Sequence, residues 1–274
     1  MKKILKKIWN SPPKSWFKKL KKYFLHFDKK KDSWNVHNVK VLEKDISLLM
    51  PNEIPETYMS MLDGSYEIDL ISKLAANKNK VVWDIGAHIG YLSLFFSSAF
   101  GEETLVYAFE PNPSNQKWLE SNININEAYS KRIFINKEAI TNKVGEVEFN
   151  VGNADDATSS GGYIKDVTPP LQENSYEDFK KIKVESNTID NLISQKKLSV
   201  PDFIKIDVEG AELKVLEGGI NTLQQNGPEL IIEIHTIPMM FHVSNFLEKL
   251  GYKINIWDED SQNFTKIIHA RKQN

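Results

Sequence analysis

The amino-acid sequence predicts an α/β fold in which a doubly wound, mostly parallel β-sheet is covered by helices on both faces. Beyond residue 80, short segments of strand type alternate with segments of helical periodicity, the pattern of consecutive βα units. The strand segments are nearly continuous apolar runs, as expected for strands buried on both faces of a sheet. The chain has 274 residues, 41% of them apolar, so it is long enough for one large domain with an appendage.

Five segments carry the strand signal, and three segments between them carry the helical one. The predicted strands cover residues 81–84, 105–110, 133–137, 203–207 and 230–233, and the predicted helices cover residues 91–100, 114–125 and 211–216. A further strand is predicted at residues 146–151, within an otherwise irregular region at residues 142–187. Residues 252–255 and 266–269 are consistent with a terminal hairpin.

We divide the chain into three parts. Residues 1–31 form a basic amphipathic extension, residues 32–80 a helical lead-in, and residues 81–274 the main α/β domain. The lead-in is predicted to be helical because residues 66–74 place apolar side chains at helical spacing.

The extension concentrates positive charge, since residues 1–31 contain twelve lysines and one acidic residue, Asp28, in a chain of net charge −2. Side chains at spacings of three and four residues predict an amphipathic helix with a basic polar face; they are Trp16, Phe17, Leu20, Tyr23, Phe24 and Phe27. Such a helix suits peripheral binding to an anionic membrane surface. A helix packed on the main domain and contact with another acidic partner are the alternatives, and no specific nucleic acid is predicted.

Composition also bears on the compartment. No segment has the ~20 consecutive apolar residues of a membrane-spanning helix, and lysines interrupt the N-terminus too often for a secretory signal. The chain has no cysteine, which excludes a disulfide framework, a thiolate zinc site and a cysteine nucleophile. We therefore expect a cytoplasmic protein, either free or peripheral on the inner face of the membrane.

The segment VVWDIGAHIG at residues 81–90 predicts a strand, a tight turn and the start of a helix. Gly86 and Gly90 would let a ligand approach the backbone closely, and the helix N-terminus would present free N–H groups beside it. The segment lacks a complete G-x-G-x-x-G pattern, so by itself it indicates no more than a nucleotide-compatible turn.

A second acidic residue makes the prediction more specific. Glu110 ends the next predicted strand, 26 residues after Asp84. A carboxylate in this place can accept hydrogen bonds from both hydroxyl groups of a ribose, so the two acids predict binding of a nucleoside. NAD-dependent enzymes use the same arrangement, and the pair therefore does not identify the reaction.

Potentially reactive side chains follow two later strands. Asp207 and Glu209 come at the end of the strand at residues 203–207, and Glu233 and His235 come at the end of the strand at residues 230–233. Because the carboxyl ends of parallel strands meet at one edge of a sheet, we expect these side chains to face the same crevice. A histidine with the ordinary pKa of about 6.5 would serve there as a general base near neutral pH.

Four segments together, VVWDIGAHIG, AFEPNP, FIKIDVEGAELKVLEGG and PELIIEIH, resemble the FkbM-type methyltransferases in content and order. The resemblance covers about residues 64–236 and rests mainly on DVEGAE and the VL-x-GG that follows it. It implies the class I methyltransferase (Rossmann-like) fold, with a seven-stranded sheet whose last strand is antiparallel, and S-adenosylmethionine as the methyl donor. It also implies O-methylation of a hydroxylated acceptor such as a sugar, a glycan or a natural product.

The resemblance further implies a donor-binding site. The turn would hold the methionine part of the donor, Glu110 its ribose, and Asn112 would lie close to its adenine. Residue 88 is a departure, since the family more often has asparagine where this chain has histidine. The residues that would contact the donor are Glu67, Asp84, Gly86, Ala87, His88, Gly90, Glu110, Asn112, Ala139 and Asp207.

Transfer of a methyl group to an alcohol requires a group that accepts the hydroxyl proton. We expect Asp207, Glu209 or His235 to provide it, and these three are the predicted catalytic residues. A Mg²⁺ ion bridged by Asp207 and Glu209 is an alternative, but the site is expected to contain no metal. Two other functions stay open: an NAD-dependent oxidoreductase and a non-catalytic, membrane-associated binding module.

Overall fold

In the computed structural model, the described residues are 34–51, 58–66, 81–151, 162–164, 180–257 and 266–272. Their strands are β1 (Trp34–Val41), β2 (Lys44–Pro51), β3 (Val81–Ile85), β4 (Leu105–Phe109), β5 (Ile133–Asn136), β6 (Ala139–Ile140), β7 (Gly145–Val151), β8 (Tyr163–Ile164), β9 (Lys180–Asn187), β10 (Phe203–Ile206), β11 (Glu229–Ile234), β12 (Tyr252–Trp257) and β13 (Lys266–Lys272). Their helices are α1 (Met59–Asp63), α2 (Tyr91–Ala99), α3 (Pro113–Ile125), α4 (Glu127–Ser130), α5 (Ile189–Ser194), α6 (Glu212–Gly218), α7 (Ile220–Gln225) and α8 (Ile237–Lys249).

The central sheet has seven strands in the order β12-β13-β11-β10-β3-β4-β5. Strands β11, β10, β3, β4 and β5 pair in parallel, whereas β13 is antiparallel to both of its neighbours. The predicted doubly wound sheet and its antiparallel last strand are therefore confirmed. The chain runs from β3 to β5 in one direction across the sheet and then returns to β10 on the other side of β3. Ligands of such folds bind outside the carboxyl ends of the strands at this reversal.

The predicted elements of the central βα units are confirmed, each within two residues of its expected ends. The start of α3 shows why such ends are readable from sequence. The side chain of Asn112 accepts a hydrogen bond from the N–H of Ser114 at 3.0 Å, and Pro113 occupies the first turn. Both residue types favour a helix start, the first by capping a free N–H and the second by its fixed φ.

Each face of the central sheet is covered by its own apolar core. On one face, Val82 packs in a cluster with Phe95 of α2 and Leu119 of α3. On the other face, Trp83 packs in a cluster with Val215 of α6. Successive residues of β3 thus point to opposite cores, which is the two-residue period of a strand buried on both faces.

Residues 34–51 form an antiparallel hairpin of β1 and β2, so the predicted helical lead-in is corrected for this part of the chain. Val39 and Val41 are buried while the lysine between them is exposed, which is the period of a strand. The expected helix rested on residues 66–74, and residues 67–80 lie outside the described residues.

Two asparagines, Asn122 within α3 and Asn126 directly after it, hold this hairpin on the main domain. The Oδ1 of Asn122 accepts the N–H of Leu49 at 2.6 Å, and its Nδ2 donates to the carbonyl of Ile89 at 2.9 Å. Asn126 accepts from the N–H of Ser47 at 2.8 Å and donates to the carbonyl of the same residue at 2.7 Å. These amides supply the partners that buried backbone groups need, and they tie the hairpin to α3.

A second sheet of four strands, in the order β6-β9-β7-β8, occupies much of the region that was expected to be irregular. Strand β7 confirms the strand predicted at residues 146–151, but β9 was not predicted. Lysines occupy three of the first four positions of β9 and conceal its buried positions, such as Val184. Phe149 of β7 and Ile164 of β8 line the cavity described below.

The basic extension at residues 1–31 lies outside the described residues, and the amphipathic helix expected there stays a prediction. The division of the chain into three parts is likewise still a prediction. Among the described helices, none is long and apolar enough to cross a membrane.

Candidate active site

A cavity of about 440 Å³ lies at the carboxyl ends of β3, β4, β10 and β11. Tyr58 and Tyr66, on either side of α1, line it together with residues of the second sheet. A volume of this order, within the range of roughly 300–1,000 Å³ typical of ligand sites, can hold a small molecule.

The turn after β3 is held against both neighbouring strands. The N–H groups of Gly86 and Ala87 donate to the carbonyl of Phe109 at 3.0 and 2.9 Å. Gly86 has a φ of +86°, and a Cβ at this position would lie 1.8 Å from the carbonyl oxygen of Asp207, which follows β10. The close approach of these two backbones, rather than of a ligand, explains why residue 86 must be glycine.

Gly90 has a similar role at the start of α2. Its φ is +90°, and a Cβ there would lie 2.7 Å from the side chain of Leu119 on α3. These contacts give both glycines a packing role, and the expectation that they let a ligand approach the backbone stays a prediction. Gly86, Ala87 and His88 nevertheless line the cavity.

Asp84 is fully buried and lines the cavity. Its Oδ2 accepts a hydrogen bond from the hydroxyl of Ser93, and its Oδ1 has no hydrogen-bond partner among the described residues. Burial raises the pKa of Asp84, although Lys205, whose Nζ lies 4.0 Å from this Oδ1, opposes the shift. A buried oxygen without a hydrogen bond is costly unless a ligand satisfies it, so Oδ1 is a candidate acceptor for a cationic ligand group.

Glu110 follows β4 and is held by backbone donors. Its Oε2 accepts the N–H of His88 at 2.9 Å, and its Oε1 accepts the N–H of Asn112 at 2.8 Å. Burial raises the pKa of Glu110 to about 7, and these N–H groups oppose the shift. Each carboxylate oxygen has two lone pairs, so the fixed side chain can still accept the predicted ribose hydroxyls.

Asn112 and Ala139 line the same cavity. The Oδ1 of Asn112 is occupied by the capping bond to α3, and its Nδ2 is buried without a hydrogen-bond partner among the described residues. A buried amide of this kind can donate to a ligand, and its contact with an adenine stays a prediction.

The backbone and the ring of His88 contact different residues. The residue has a φ of +50°, and its N–H holds Glu110 as described above. Its ring stacks on Tyr58 at a centroid distance of 5.6 Å, with Nε2 3.3 Å from the tyrosine hydroxyl. Burial lowers the pKa of His88 to about 4, so the ring is neutral at physiological pH. His88 therefore connects the turn after β3 to the segment that precedes α1.

The three predicted catalytic residues come together, and two further carboxylates join them. Nε2 of His235 lies 3.5 Å from both Oδ1 of Asp207 and Oε2 of Glu209. The same nitrogen lies 4.0 Å from Oε1 of Glu233, and the Nδ1 of the ring lies 2.9 Å from Oε1 of Glu212. Asp207, Glu209 and Glu233 line the cavity. The His235 side chain is largely buried, with 7% of it exposed.

The charges of the cluster change the ionisation of its members. Burial disfavours a charged His235, but the hydrogen bond with Glu212 and the surrounding carboxylates outweigh it and raise its pKa to about 10. His235 is therefore protonated at neutral pH, and the expectation that it titrates near 6.5 is not met. Burial raises the pKa of Glu209 to about 7, with His235 opposing the shift. Burial would also raise the pKa of Asp207, yet Lys205 at 3.1 Å and His235 hold it below its ordinary value.

Two members of this cluster were not predicted from the sequence. Lys205 is buried within β10, and its Nζ lies 3.1 Å from Oδ2 of Asp207 and 3.4 Å from the carbonyl oxygen of Gly86. A lysine inside an apolar strand was an available signal, because a buried lysine needs a partner. Glu212 is fully buried and accepts the N–H of Gly210 at 2.9 Å, but an acid in the first turn of a helix usually indicates only a favourable charge.

Most of the predicted donor-binding residues converge on one cavity. Gly90 packs against α3 instead, and Glu67 lies outside the described residues. The residues that line the cavity are Asp84, Gly86, Ala87, His88, Glu110, Asn112, Ala139 and Asp207. Their individual contacts with a donor stay predictions.

Two curated proteins are similar to this chain in sequence. Hexuronic acid methyltransferase AglP of Haloferax volcanii is 28% identical over 220 residues, which cover 78% of this chain and 79% of that protein. The 2-O-methyltransferase NoeI of Sinorhizobium fredii is 28% identical over 157 residues, which cover 56% of this chain and 63% of that protein.

A crystal structure of methyltransferase FkbM from Methylobacillus flagellatus matches with a TM-score of 0.50 at 18% identity. The match covers 70% of this chain but only 43% of that protein, and at this identity it shows the fold alone. The family profile of the methyltransferase FkbM domain matches residues 84–254, which is more than half of the chain and runs from β3 into β12. The chain therefore belongs to the FkbM methyltransferase family.

Proposed function

We propose that this protein transfers the methyl group of S-adenosylmethionine to a hydroxyl group of a sugar or glycan. One observation carries the proposal: the buried carboxylates of Asp84 and Glu110 line the same cavity as those of Asp207 and Glu209. The first pair suits a ligand that combines a nucleoside with positive charge. The second pair provides acceptors for a proton, which transfer to an alcohol requires.

The residues of the cavity fit S-adenosylmethionine. Glu110, fixed by two backbone N–H groups, would accept the hydroxyls of the ribose. The Nδ2 of Asn112 would donate to the adenine, and the Oδ1 of Asp84 would accept from the ammonium group, which gives each of these buried atoms a partner. The surplus of carboxylates in the cavity favours the positively charged donor.

When bound, S-adenosylmethionine supplies an electrophilic methyl group, whose carbon bonds to the acceptor oxygen as its bond to sulfur breaks and leaves the electron pair on sulfur. The acceptor hydroxyl must lose its proton, and we assign that proton to Glu209. Both side chains line the cavity, but Asp207 has one oxygen held by Lys205 at 3.1 Å and the other 3.5 Å from His235. In Glu209, by contrast, only Oε2 lies 3.5 Å from His235. In-line transfer depends on position, so the rigid attachment of both turns to the sheet supports it.

The backbone of Glu209 supports a role at the site. Its φ is +52°, in the left-handed region that side chains other than asparagine, aspartate and glycine rarely occupy. Backbones of this kind persist where the surrounding structure holds them, and they cluster at active sites.

The names of the relatives and the lining of the cavity support a sugar acceptor. One relative is named for hexuronic acid and the other for 2-O-methylation. Tyr58 and Tyr66 line the cavity and offer aromatic faces with polar edges, which suit the mixed surface of a sugar ring.

The test is a transfer assay with the donor labelled on its methyl group and a panel of hexuronic acids, neutral hexoses and glycan fractions. We expect label in a hexuronic acid or a glycan that contains one, a loss of transfer in Asp84→Asn, and full transfer in the exposed control Glu146→Gln. Binding of the donor without labelling of any hydroxylated acceptor would favour a binding module. Binding of NAD in place of the donor would favour an oxidoreductase.

We further propose that residues 1–31 contact anionic membrane surfaces, a proposal supported by their twelve lysines. The full-length protein should sediment with vesicles that contain anionic lipid, and less so as salt is raised. A variant with Lys18, Lys19, Lys21 and Lys22 changed to Glu should remain in the supernatant, whereas a variant with Lys180 and Lys181 changed to Glu should still sediment. Equal sedimentation of both variants would contradict the proposal.

A further inference from the structure

The cluster around His235 carries more negative charge than its own cations balance. The cations are Lys205 and His235, and the carboxylates around the ring are those of Asp207, Glu209, Glu212 and Glu233. No carboxylate among them has more than 23% of its side chain exposed. Because buried charge is costly unless it is paired, the surplus favours an additional cation at this place.

The ring of His235 is oriented as a ligand. Its Nδ1 lies 2.9 Å from Glu212, a fully buried carboxylate that also accepts the N–H of Gly210 at 2.9 Å. A carboxylate that holds Nδ1 in this way fixes the ring and presents Nε2, an arrangement that supports histidine ligands in metal sites. Only 7% of the His235 side chain is exposed, yet the contacts of Nε2, at 3.5 and 4.0 Å, are longer than an ordinary N–H···O hydrogen bond.

The spacing of the donor atoms fits a single ion. One donor atom each from Asp207, Glu233 and His235 lies within 4.8 Å of the other two. Two ligands at about 2.1 Å from an ion, in a tetrahedral arrangement, are about 3.4 Å apart. Nε2 lies 3.5 Å and 4.0 Å from the carboxylate oxygens of Asp207 and Glu233. Side-chain shifts of about half an ångström would therefore bring these donor atoms to the spacing of ligands on one ion.

We propose that Asp207, Glu233 and His235 form a binding site for one divalent transition-metal ion, which takes the place of the proton on Nε2 of His235 and releases it to solvent. Oδ2 of Asp207 is occupied by Lys205, which leaves Oδ1 on the side that faces Nε2. Asp207 and Glu233 line the cavity, so the remaining coordination positions face the space in which an acceptor would bind.

This site differs from the one considered from the sequence, and from the expectation that no metal binds. A Mg²⁺ ion bridged by Asp207 and Glu209 uses oxygen ligands alone, as Mg²⁺ prefers. The structure adds an imidazole nitrogen, and a set of one nitrogen and two carboxylates suits Mn²⁺, Fe²⁺ or Zn²⁺ better. Glu209 lies next to this set, with Oε2 3.5 Å from Nε2 of His235.

The use of such an ion in catalysis rests on the proposed function, whereas its binding does not. A divalent cation beside the acceptor hydroxyl would lower the pKa of that hydroxyl and so ease loss of the proton to Glu209. Glu212 touches neither the ion nor the acceptor in this arrangement, and it is a positioning residue for His235.

The first experiment titrates Mn²⁺ into the full-length protein without methyl donor and follows the loss of the free-ion signal by electron paramagnetic resonance. We expect one Mn²⁺ per chain, with Zn²⁺ as a competitor and Mg²⁺ as a much weaker one. Glu233→Gln and His235→Gln should each raise the dissociation constant of Mn²⁺ about tenfold or more, and Glu212→Gln should raise it about 10- to 100-fold. Glu146→Gln, which changes an exposed carboxylate of β7, should bind as the unaltered protein does.

The outcomes separate this inference from the proposed function. Calorimetry of the methyl donor with each variant shows whether the cavity is still folded, because donor binding should persist in Glu233→Gln. The absence of a stoichiometric Mn²⁺ site in the unaltered protein overturns the inference, as does equal affinity in Glu233→Gln, His235→Gln and Glu146→Gln. If methyl transfer continued unchanged after chelation, the proposed function would then still stand. If the protein bound one Mn²⁺ but transferred methyl groups to no acceptor, the proposed function would be wrong and the metal site would still stand.

Discussion

Gly86 and Asp207 meet backbone to backbone, so closely that a Cβ on residue 86 would lie 1.8 Å from the carbonyl oxygen of Asp207. The N–H of Asp207 donates to the carbonyl of Ile85 at 2.9 Å, which continues the pairing of β3 and β10 up to this contact. The turn after β3 is thereby fixed against the turn that carries Asp207 and Glu209. Rigid placement of this kind is what a displacement reaction between two bound molecules requires.

The contact predicts the effect of Gly86→Ala. The methyl group of alanine would meet a backbone oxygen that cannot move away, and alanine would also have to adopt the left-handed φ of this position. We therefore expect the free energy of unfolding to fall by about 3 kcal/mol. The control is Gly251→Ala, since Gly251 has a φ of +80° with nothing within 4 Å of the added Cβ. It should lose only about 1 kcal/mol in the same chemical unfolding measurement. Equal losses in both variants would show that the contact with Asp207 is unimportant.

The second prediction concerns Glu110. In Glu110→Gln, one of the two backbone N–H groups of His88 and Asn112 would face an amide NH₂, and the charge available to the ribose hydroxyls would be lost. We expect the dissociation constant of S-adenosylmethionine to rise about 10- to 100-fold by isothermal titration calorimetry. Glu120→Gln, on α3 outside the cavity, should bind the donor normally. An unchanged dissociation constant in Glu110→Gln would show that Glu110 does not contribute to donor binding.

The pKa of Glu110 predicts how donor binding depends on pH. Burial raises this pKa to about 7, so the unliganded protein increasingly holds a proton on Glu110 as the pH falls below that value. Since ribose hydroxyls bind the charged carboxylate better, affinity for the donor should increase between about pH 6 and pH 8 and then level off. Calorimetry across this range should show the increase, and Glu110→Gln should abolish it.

The same pKa has the opposite consequence for stability. The folded chain binds this proton more tightly than the unfolded chain, whose carboxyl has the ordinary value of 4.5. The contribution of Glu110 to the free energy of unfolding should therefore decrease as the pH rises from about 4.5 to 7. A contribution that increases over this window, measured against Glu110→Gln, would contradict the raised pKa.

A change at Glu209 separates catalysis from binding. Glu209→Gln keeps the shape of the side chain but cannot accept the hydroxyl proton, so we expect kcat to fall by about 10²- to 10⁴-fold. The dissociation constant of the donor should change little, because we assign donor binding to Glu110 and Asp84. Glu248→Gln, an exposed change on α8, is the control in both assays. An unchanged kcat in Glu209→Gln would show that another carboxylate of the cluster accepts the proton.

The sequence predicted the central sheet because its strands are short apolar runs that end at glycine or acidic residues. The hairpin of β1 and β2 escaped prediction because polar residues fill WNVHNVKV and leave too little periodicity to read. Strand β9 escaped for a related reason, since lysines occupy its exposed positions and its buried ones are few. In both cases the pairing partner, rather than local pattern, determines the strand.

Within the site, strand ends located Asp84, Glu110 and Asp207 because parallel strands bring such residues to one edge. The surroundings of His235 could not be read in the same way. Its raised pKa depends on Glu212, which reaches it from the first turn of α6, and such a contact exists only in three dimensions. The packing role of Gly86 was equally hidden, because the atom it meets belongs to a residue more than a hundred positions away.

The most direct test of the account places the transferred methyl group on a specific atom. The protein would be incubated with S-adenosylmethionine carrying a ¹³C methyl group and with a hexuronic acid acceptor identified in the transfer assay, and the product examined by NMR. We expect a ¹³C methyl ether on a ring hydroxyl, formed by the unaltered protein and not by Glu209→Gln. A methyl ester on the carboxylate of the acceptor, or no labelled product while the donor stays bound, would contradict it.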